Sequence, residues 1–118
     1  MRKAEVFIPG CVFYSGYTRE GALASVGKGW ADLINAVFSK VQSYSPGIRI
    51  IQVKEKWGGL RIYCDPYVED FEKMLREVEK KSFTICEECG NPANLRDGGW
   101  YKTLCDEHAN GRKPINPF

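Results

Sequence analysis

The sequence predicts a small α+β fold in which an antiparallel sheet packs against two helices, followed by a cysteine-containing module at the C-terminal end. Two stretches have apolar residues at helical spacing, and between them lie two β-rich stretches joined by glycines. The paired cysteines occur only in the last third of the chain. With 118 residues the chain has the length of one domain with a small appendage. We therefore expect a core over residues 1–82 and a module over residues 83–118.

The composition is that of an ordinary globular protein, with 43% hydrophobic and 27% charged residues. The net charge is only +2, but basic residues are in excess up to residue 64 and acidic residues are in excess after it. This asymmetry suggests two faces of opposite charge. No apolar run approaches the roughly 18 residues of a membrane helix. We expect a cytosolic protein without membrane contact, in which the cysteines stay reduced.

The first elements are predicted from local patterns. Residues 4–8 (AEVFI) alternate weakly and predict a short strand that ends at Pro9-Gly10, whereas residues 11–21 predict no definite element. A helix is predicted within residues 26–44, because apolar residues recur there on one helix face. Ser45-Pro46-Gly47 ends this helix. Its apolar face consists of Trp30, Leu33, Ile34, Val37, Phe38 and Val41.

A β-hairpin and a second helix are predicted next. Residues 48–56 and 60–64 are rich in β-branched and aromatic types and flank Gly58-Gly59, as in a hairpin. The second helix is predicted over residues 66–81, with Asp65 as the N-cap and Pro66 at the first helical position. Its apolar stripe, which we expect to cover the hairpin, consists of Val68, Phe71, Leu75 and Val78.

Three of the five cysteines and the only histidine form two pairs, Cys86/Cys89 and Cys105/His108, each with a gap of two residues. Zinc prefers four tetrahedral ligands drawn from thiolate and imidazole, and this gap lets both side chains of a pair reach one ion. Reduced cysteines at this spacing favour a metal site over disulfides. We therefore predict that Cys86, Cys89, Cys105 and His108 bind Zn²⁺.

The residues around these ligands predict the local structure of the module. Gly90 follows the second cysteine, where a knuckle turn needs a positive φ. The fifteen residues between the pairs suit a hairpin with RDGG at its tip. Cys105 is predicted to begin a helix, since Asp106 and Glu107 favour the positive end of the helix dipole. A knuckle, a hairpin and a helix in this order resemble a treble-clef zinc module.

The predicted zinc is structural. Catalytic zinc keeps an open position beside three protein ligands, whereas four ligands fill the shell here. The sequence has no glycine-rich phosphate loop, and its one histidine is used by zinc, which leaves no Ser/His or Cys/His pair for catalysis. We therefore expect no enzyme. Cys11 and Cys64 lie outside the site and are expected to be buried free thiols.

Two surfaces are candidates for partner binding. The module is acidic, with Glu87 and Glu88 inside its first ligand pair, and would repel phosphate. The hairpin combines cations with aromatic side chains, the mixture that proteins use on single-stranded nucleic acid. The alternative is a solvated hairpin with Trp57 in the core, since charges on a hairpin are ordinary edge protection. The candidate hairpin residues are Lys54, Lys56, Trp57 and Arg61.

The order of the motifs GKGWADLI, KEKWGGLRIY, CEECG and TLCDEH resembles a family of small phage and prophage proteins. The resemblance spans most of the chain, is most specific in the hairpin and zinc motifs, and leaves out the first 25 residues. The resemblance implies the same four zinc ligands that the spacing of the cysteines and the histidine predicts. Some small zinc-bearing phage proteins are anti-CRISPR inhibitors of the RNA-guided DNA nuclease of type II systems. Similarity to these implies a partner protein in the host bacterial cytosol.

Three functions follow as expectations. The first is a non-catalytic, zinc-stabilised phage accessory protein that binds a host defence protein, specifically a type II RNA-guided nuclease whose nucleic-acid loading it blocks. Glu87 and Glu88 would then meet a basic face of the target, while the net charge of +2 disfavours DNA mimicry. The alternative is a nucleic-acid-binding or transcription-associated zinc protein that uses the basic hairpin. The third is a structural role in the virion.

Overall fold

The computed structural model describes residues 4–8, 11–44 and 47–115, with side chains from Tyr17 onward. This part of the chain is a small α+β fold, as predicted, but its strands form three separate antiparallel pairs: β1 with β2, β3 with β4, and β5 with β6. The elements are β1 Ala4–Ile8, β2 Cys11–Gly16, α1 Arg19–Ala24, α2 Ala31–Val41, β3 Arg49–Lys56, β4 Gly59–Asp65, α3 Glu69–Ser82, β5 Asn94–Arg96 and β6 Lys102–Leu104.

The N-terminal part contains more regular structure than the sequence predicted. The predicted strand is β1, and it pairs with β2, for which no element was predicted. Helix α1 follows, and its N-cap Thr18 accepts a hydrogen bond on Oγ1 from the backbone N–H of Gly21 at 2.9 Å. Pro9-Gly10, the predicted end of β1, lie outside the described residues. Cys11 is in β2, but its side chain is not among those described.

The first predicted helix is confirmed as α2, which is preceded by a 3-10 turn, Lys28–Trp30. Trp30, Ile34 and Val37 are completely buried in the core, and Leu33 is nearly so. The helix ends at Val41, and the predicted terminator residues Ser45 and Pro46 lie outside the described part. The apolar face that the sequence predicted therefore faces the core.

The central hairpin and the last helix also match the prediction, apart from the start of the helix. Helix α3 buries Phe71, Leu75 and Val78, the stripe predicted from spacing. The predicted N-cap at Asp65 is wrong, because α3 begins at Glu69. Asp65 is instead the last residue of β4, where it is paired with Arg49 both in the strand register and by an ion pair.

None of the helices in the described ranges has the length and apolar character that crossing a bilayer requires.

Candidate metal centre

Cys86, Cys89, Cys105 and His108 converge at one point, where their ligand atoms all lie within 4.8 Å of one another. The Sγ atoms of Cys89 and Cys105 are 3.7 Å apart. Nδ1 of His108 lies 3.2 Å from Sγ of Cys105 and 3.7 Å from Sγ of Cys86. Bonds of about 2.3 Å to sulfur and 2.0 Å to nitrogen in a tetrahedron place ligand atoms roughly 3.5–3.8 Å apart. The free thiols and the imidazole are therefore spaced to bind a metal ion.

The two ligand pairs lie on tight turns. The backbone N–H of Gly90 donates to the carbonyl of Cys86 at 2.8 Å, and Gly90 has the positive φ (+85°) that its place after the pair predicted. Cys105 and His108 are joined by the 3-10 turn Asp106–His108, where a helix was predicted. The helix does not continue because Asn110 and Gly111 both have positive φ, so the chain turns away.

The thiols and the imidazole of the cluster shift one another's pKa values. Burial alone would raise the pKa of Cys105, but hydrogen bonding with His108 and with the other cysteines lowers this pKa to about 7. The neighbouring Cys105 thiol raises the pKa of His108. At Cys89 the backbone N–H of Asn91 lowers the pKa, while burial and the two other thiols outweigh it and raise the pKa overall. A bound metal ion replaces such protons, and its binding therefore releases them.

Arg96 holds the turns around the cluster together, and sequence reasoning missed it. Its guanidinium is buried and donates to the carbonyl of Leu104 at 2.8 Å, to the carbonyl of Arg112 at 3.1 Å and to the carboxylate of Asp106 at 2.9 Å. These bonds tie the β5–β6 hairpin to the 3-10 turn and to the segment after it. Buried arginines are uncommon, and two of these acceptors are backbone carbonyls, which no residue pattern reveals.

The carboxylate of Glu87 is buried, with 8% of the residue exposed, although it was predicted to contact a partner. It accepts a hydrogen bond from the backbone N–H of Thr103 at 3.2 Å and lies 3.7 Å from Nζ of Lys102. Burial raises the pKa of Glu87. Glu87 therefore links the knuckle to β6 and does not belong to an open acidic surface, whereas Glu88 is exposed.

The cluster sits against the core through close backbone contacts. The backbone N–H of Gly29 donates to the carbonyl of Glu87 at 2.9 Å, and the indole of Trp30 donates to the carbonyl of Ile85, also at 2.9 Å. On the other side, the Thr103 hydroxyl donates to the carbonyl of Gly58 at 2.6 Å. The GKGW and KEKWGGL motifs thus supply the surfaces on which the turns of the Cys/His cluster rest.

The three basic residues of the central hairpin that were predicted to bind a partner differ in their contacts and in their exposure to solvent. Arg61 forms an ion pair with Glu79, with Nε 3.0 Å from a carboxylate oxygen but without the direction of a hydrogen bond. Nζ of Lys54 lies 5.9 Å from the centre of the Tyr63 ring. Lys56 is exposed beside Trp57, and Trp57 is itself 66% exposed. The alternative in which Trp57 fills the core is therefore wrong.

A second candidate site lies where the tips of the β3–β4 and β5–β6 hairpins meet. The ring centres of Trp57 and Tyr101 are 6.3 Å apart. A cavity of about 510 Å³ opens beside them, and we call it the tip pocket. Sequence reasoning missed Trp100 and Tyr101, although two aromatic residues directly after the predicted RDGG tip were a usable signal. The tip pocket is lined by Glu55, Lys56, Trp57, Asp97, Gly99, Trp100 and Tyr101.

Cys64 lies outside the cluster and is a free thiol, as predicted, but it is only partly buried rather than buried. We expect this thiol to be unreactive. Burial, a hydrogen bond to Glu72 (3.1 Å) and the charges of Glu72 and Asp65 raise the pKa of Cys64 to about 12. Since the thiolate is the nucleophile, alkylation by iodoacetamide at pH 8 should spare Cys64. Glu72→Gln removes a negative charge, lowers the pKa and should speed alkylation at pH 9 several-fold.

Peptide mass spectrometry after timed alkylation measures this rate, and Glu77→Gln on the same helix is the control. Rapid labelling of Cys64 at pH 8 in the unmodified protein would contradict the raised pKa.

Comparisons with known proteins do not identify the chain. No family model matches it, and neither a curated protein nor a solved structure matches it significantly. Its function is therefore inferred from the geometry of the two candidate sites.

Proposed function

We propose that this chain is a non-catalytic binding protein in which structural zinc holds the C-terminal module in place and the tip pocket contacts a partner protein. The observation that carries the proposal is the exposure of three neighbouring aromatic side chains, 66% for Trp57, 70% for Trp100 and 37% for Tyr101. Grouped exposed aromatic residues mark interaction surfaces, and Trp and Tyr dominate the energetics of interfaces. Two hairpins from different parts of the chain supply this group.

Zinc is the metal that fits the cluster best. Thiolate ligands favour zinc over the hard cations magnesium and calcium, and three thiolates with one imidazole form a closed structural shell. When bound, zinc supplies folding free energy to the segment that carries its ligands. The knuckle, the β5–β6 hairpin and the following turn keep the chain order of a treble-clef module, with a 3-10 turn in place of the helix.

The backbone at Trp57 supports a role for its side chain in binding. Trp57 and Gly58 form the turn between β3 and β4, and both have positive φ, 57° and 86°. Asn-Gly is the usual pair in such turns, because a bulky residue in the left-handed region costs about 1–2 kcal/mol. Strained positions of this kind occur preferentially at functional sites. An exposed tryptophan kept in an unfavourable conformation suggests that its indole is needed.

The specific target that we propose is a type II RNA-guided nuclease, whose guide or target-DNA loading the chain would block. The resemblance of the motifs supports this target. The exposed carboxylates of Glu88 and Glu107 also support it, because they complement a basic, nucleic-acid-handling face. The assay is DNA cleavage by the purified nuclease with its guide. If an excess of the chain does not change the rate of DNA cleavage, this nuclease is not the target. The general proposal of partner binding would still stand.

A second candidate function is binding of single-stranded nucleic acid by the central hairpin. The exposure of Trp57 and Tyr63 near Lys54 and Lys56 favours it, because bases stack on such rings. However, Arg61 is paired with Glu79 and so is less available for phosphate. Binding that falls steeply as salt is added would support this candidate.

The partner-protein proposal predicts that Trp57→Asn abolishes binding without harming the fold. Asparagine tolerates the positive φ at this position, so the free energy of unfolding should stay within about 1 kcal/mol of the parent or rise. The tagged chain is used to capture partners from bacterial lysate treated with nuclease. Tyr67→Ala is the control, because Tyr67 is equally exposed (69%) but does not line the tip pocket.

We expect the parent chain and Tyr67→Ala to retain the same protein after nuclease treatment, and Trp57→Asn to lose it. If Trp57→Asn captures the partner as well as the parent does, the tip pocket is not the binding surface. If only nucleic acid is captured and nuclease removes it, the second candidate function replaces the first.

A further inference from the structure

We infer that the tip pocket receives an arginine side chain of the partner protein. This inference rests on the proposed function and specifies the chemistry that the pocket recognises. The walls combine three aromatic rings with two carboxylates, and the cavity of about 510 Å³ lies within the range of roughly 300–1,000 Å³ typical of ligand pockets.

The aromatic walls favour a cation. The faces of Trp and Tyr rings carry partial negative charge and attract a cation placed within about 6 Å of the ring centre. The rings of Trp57 and Tyr101 are tilted by 51° to one another, and Trp100 lines the same cavity. A planar guanidinium can stack on one ring while its edge faces another, which a compact ammonium group cannot do.

The carboxylates of Glu55 and Asp97 make the pocket negatively charged, and hydrogen bonds hold both of them in place. One oxygen of Glu55 accepts from the backbone N–H of Gly58 at 2.7 Å, and one oxygen of Asp97 accepts from that of Gly98 at 2.6 Å. Both side chains are thereby held at the turns of their hairpins. For the second oxygen of each, no hydrogen bond is present within the described ranges, so it is available to the N–H groups of a guanidinium.

The charge balance of the pocket also selects against phosphate. Lys56 is the only basic residue among its lining residues, against two acidic ones. A nucleic-acid strand entering the pocket would bring phosphates towards Glu55 and Asp97, and the repulsion would offset the stacking of its bases. An arginine gains from the rings and the carboxylates together.

The test uses the zinc-loaded full chain labelled with ¹⁵N and the peptide acetyl-Gly-Gly-Arg-Gly-Gly-amide at millimolar concentration. The three indole N–H signals are separate reporters. Trp57 and Trp100 line the pocket, whereas Trp30 is completely buried and donates its N–H to Ile85, so it serves as an internal control. We expect the signals of Trp57 and Trp100 to shift on titration and that of Trp30 to stay.

Matched peptides and variants separate charge from stacking. A peptide with glutamine in place of arginine should not shift the indole signals of Trp57 and Trp100. A peptide with lysine at this position should bind more weakly than the arginine peptide. Trp100→Ala should weaken arginine binding about five- to thirtyfold. Asp97→Asn keeps an oxygen that can accept from the N–H of Gly98, but it removes the negative charge. This variant should bind the arginine peptide about two- to fivefold more weakly. Glu77→Gln, on α3 and away from the pocket, should change nothing.

Absence of shifts at Trp57 and Trp100, equal shifts with the glutamine or lysine peptide, or stronger binding of oligo-dT would each overturn the inference. If Trp57→Asn loses the partner protein but the arginine peptide does not bind, the proposed function stands and the arginine assignment is wrong. If Trp57→Asn still captures the partner, the proposed function itself fails, whatever the peptides show.

Discussion

Replacing Cys105 with serine should release the metal and unfold residues 83–115, lowering the free energy of unfolding by at least about 4 kcal/mol. The thiol of Cys105 is buried and lies closest to His108, with Sγ 3.2 Å from Nδ1. A serine hydroxyl stays protonated at neutral pH and does not replace a thiolate on zinc. The remaining three side chains would then bind the metal too weakly to hold the turns.

The effect should be large because the apolar core of the module itself is very small. Its own buried cluster consists of Cys86, Leu104 and Cys105, with Ala93 packed against it. Two of these three buried residues belong to the proposed ligand set, so loss of the metal should remove most of the local core. Segments with so few apolar contacts depend on a metal or on disulfides for stability.

The measurements are the metal content of the purified chain and its thermal unfolding. Cys64→Ser is the matched control, because it makes the same chemical change outside the cluster and should cost less than about 1 kcal/mol. A chelator added to the parent chain should reproduce the effect of Cys105→Ser. Unchanged metal content and melting in Cys105→Ser would show that the cluster is not a metal site.

The parts of the fold that sequence predicted correctly are those set by local patterns. The buried faces of α2 and α3 follow from helical spacing, as with Ile34 and Leu75, and the ligand pairs follow from the short reach between two side chains on one turn. The missed helix α1 has only six residues, too few for a periodic pattern. The N-cap at Asp65 was wrong because pairing with Arg49, sixteen residues away, overrides the local preference for helix initiation.

The tip pocket could not be predicted, because its two halves are distant in sequence. Trp57 and Tyr101 meet only when the C-terminal module docks on the central hairpin. The burial of Glu87 has the same cause, since its partner Thr103 lies in β6, sixteen residues further along the chain. Contacts of this kind depend on how elements pack, and neither composition nor spacing encodes them.

The second large effect is expected at Gly29, the glycine that supports the first ligand pair. A Cβ atom at this position would lie 1.9 Å from the carbonyl oxygen of Cys86 and 2.7 Å from the backbone nitrogen of Gly90. Both atoms belong to backbone, so no side chain can move aside. Gly29→Ala should therefore push the knuckle away from the core and lower the free energy of unfolding by about 3 kcal/mol or more.

Gly47→Ala is the matched control, because a Cβ there meets nothing within 4 Å. It should change the free energy of unfolding by no more than about 0.5 kcal/mol or raise it slightly. Chemical denaturation of both variants measures the difference. Equal stability of the two variants would show that the GKGW segment and the knuckle do not touch.

Combining Gly29→Ala with Cys105→Ser tests whether the two act through one structure. If the metal-free module is already detached in Cys105→Ser, the carbonyl of Cys86 no longer lies against Gly29, and the added methyl group meets little. The double variant should then be hardly less stable than Cys105→Ser alone, so that the two effects are far from additive. Additive losses would mean instead that the knuckle stays docked without metal, and that the core, not the metal, determines its position.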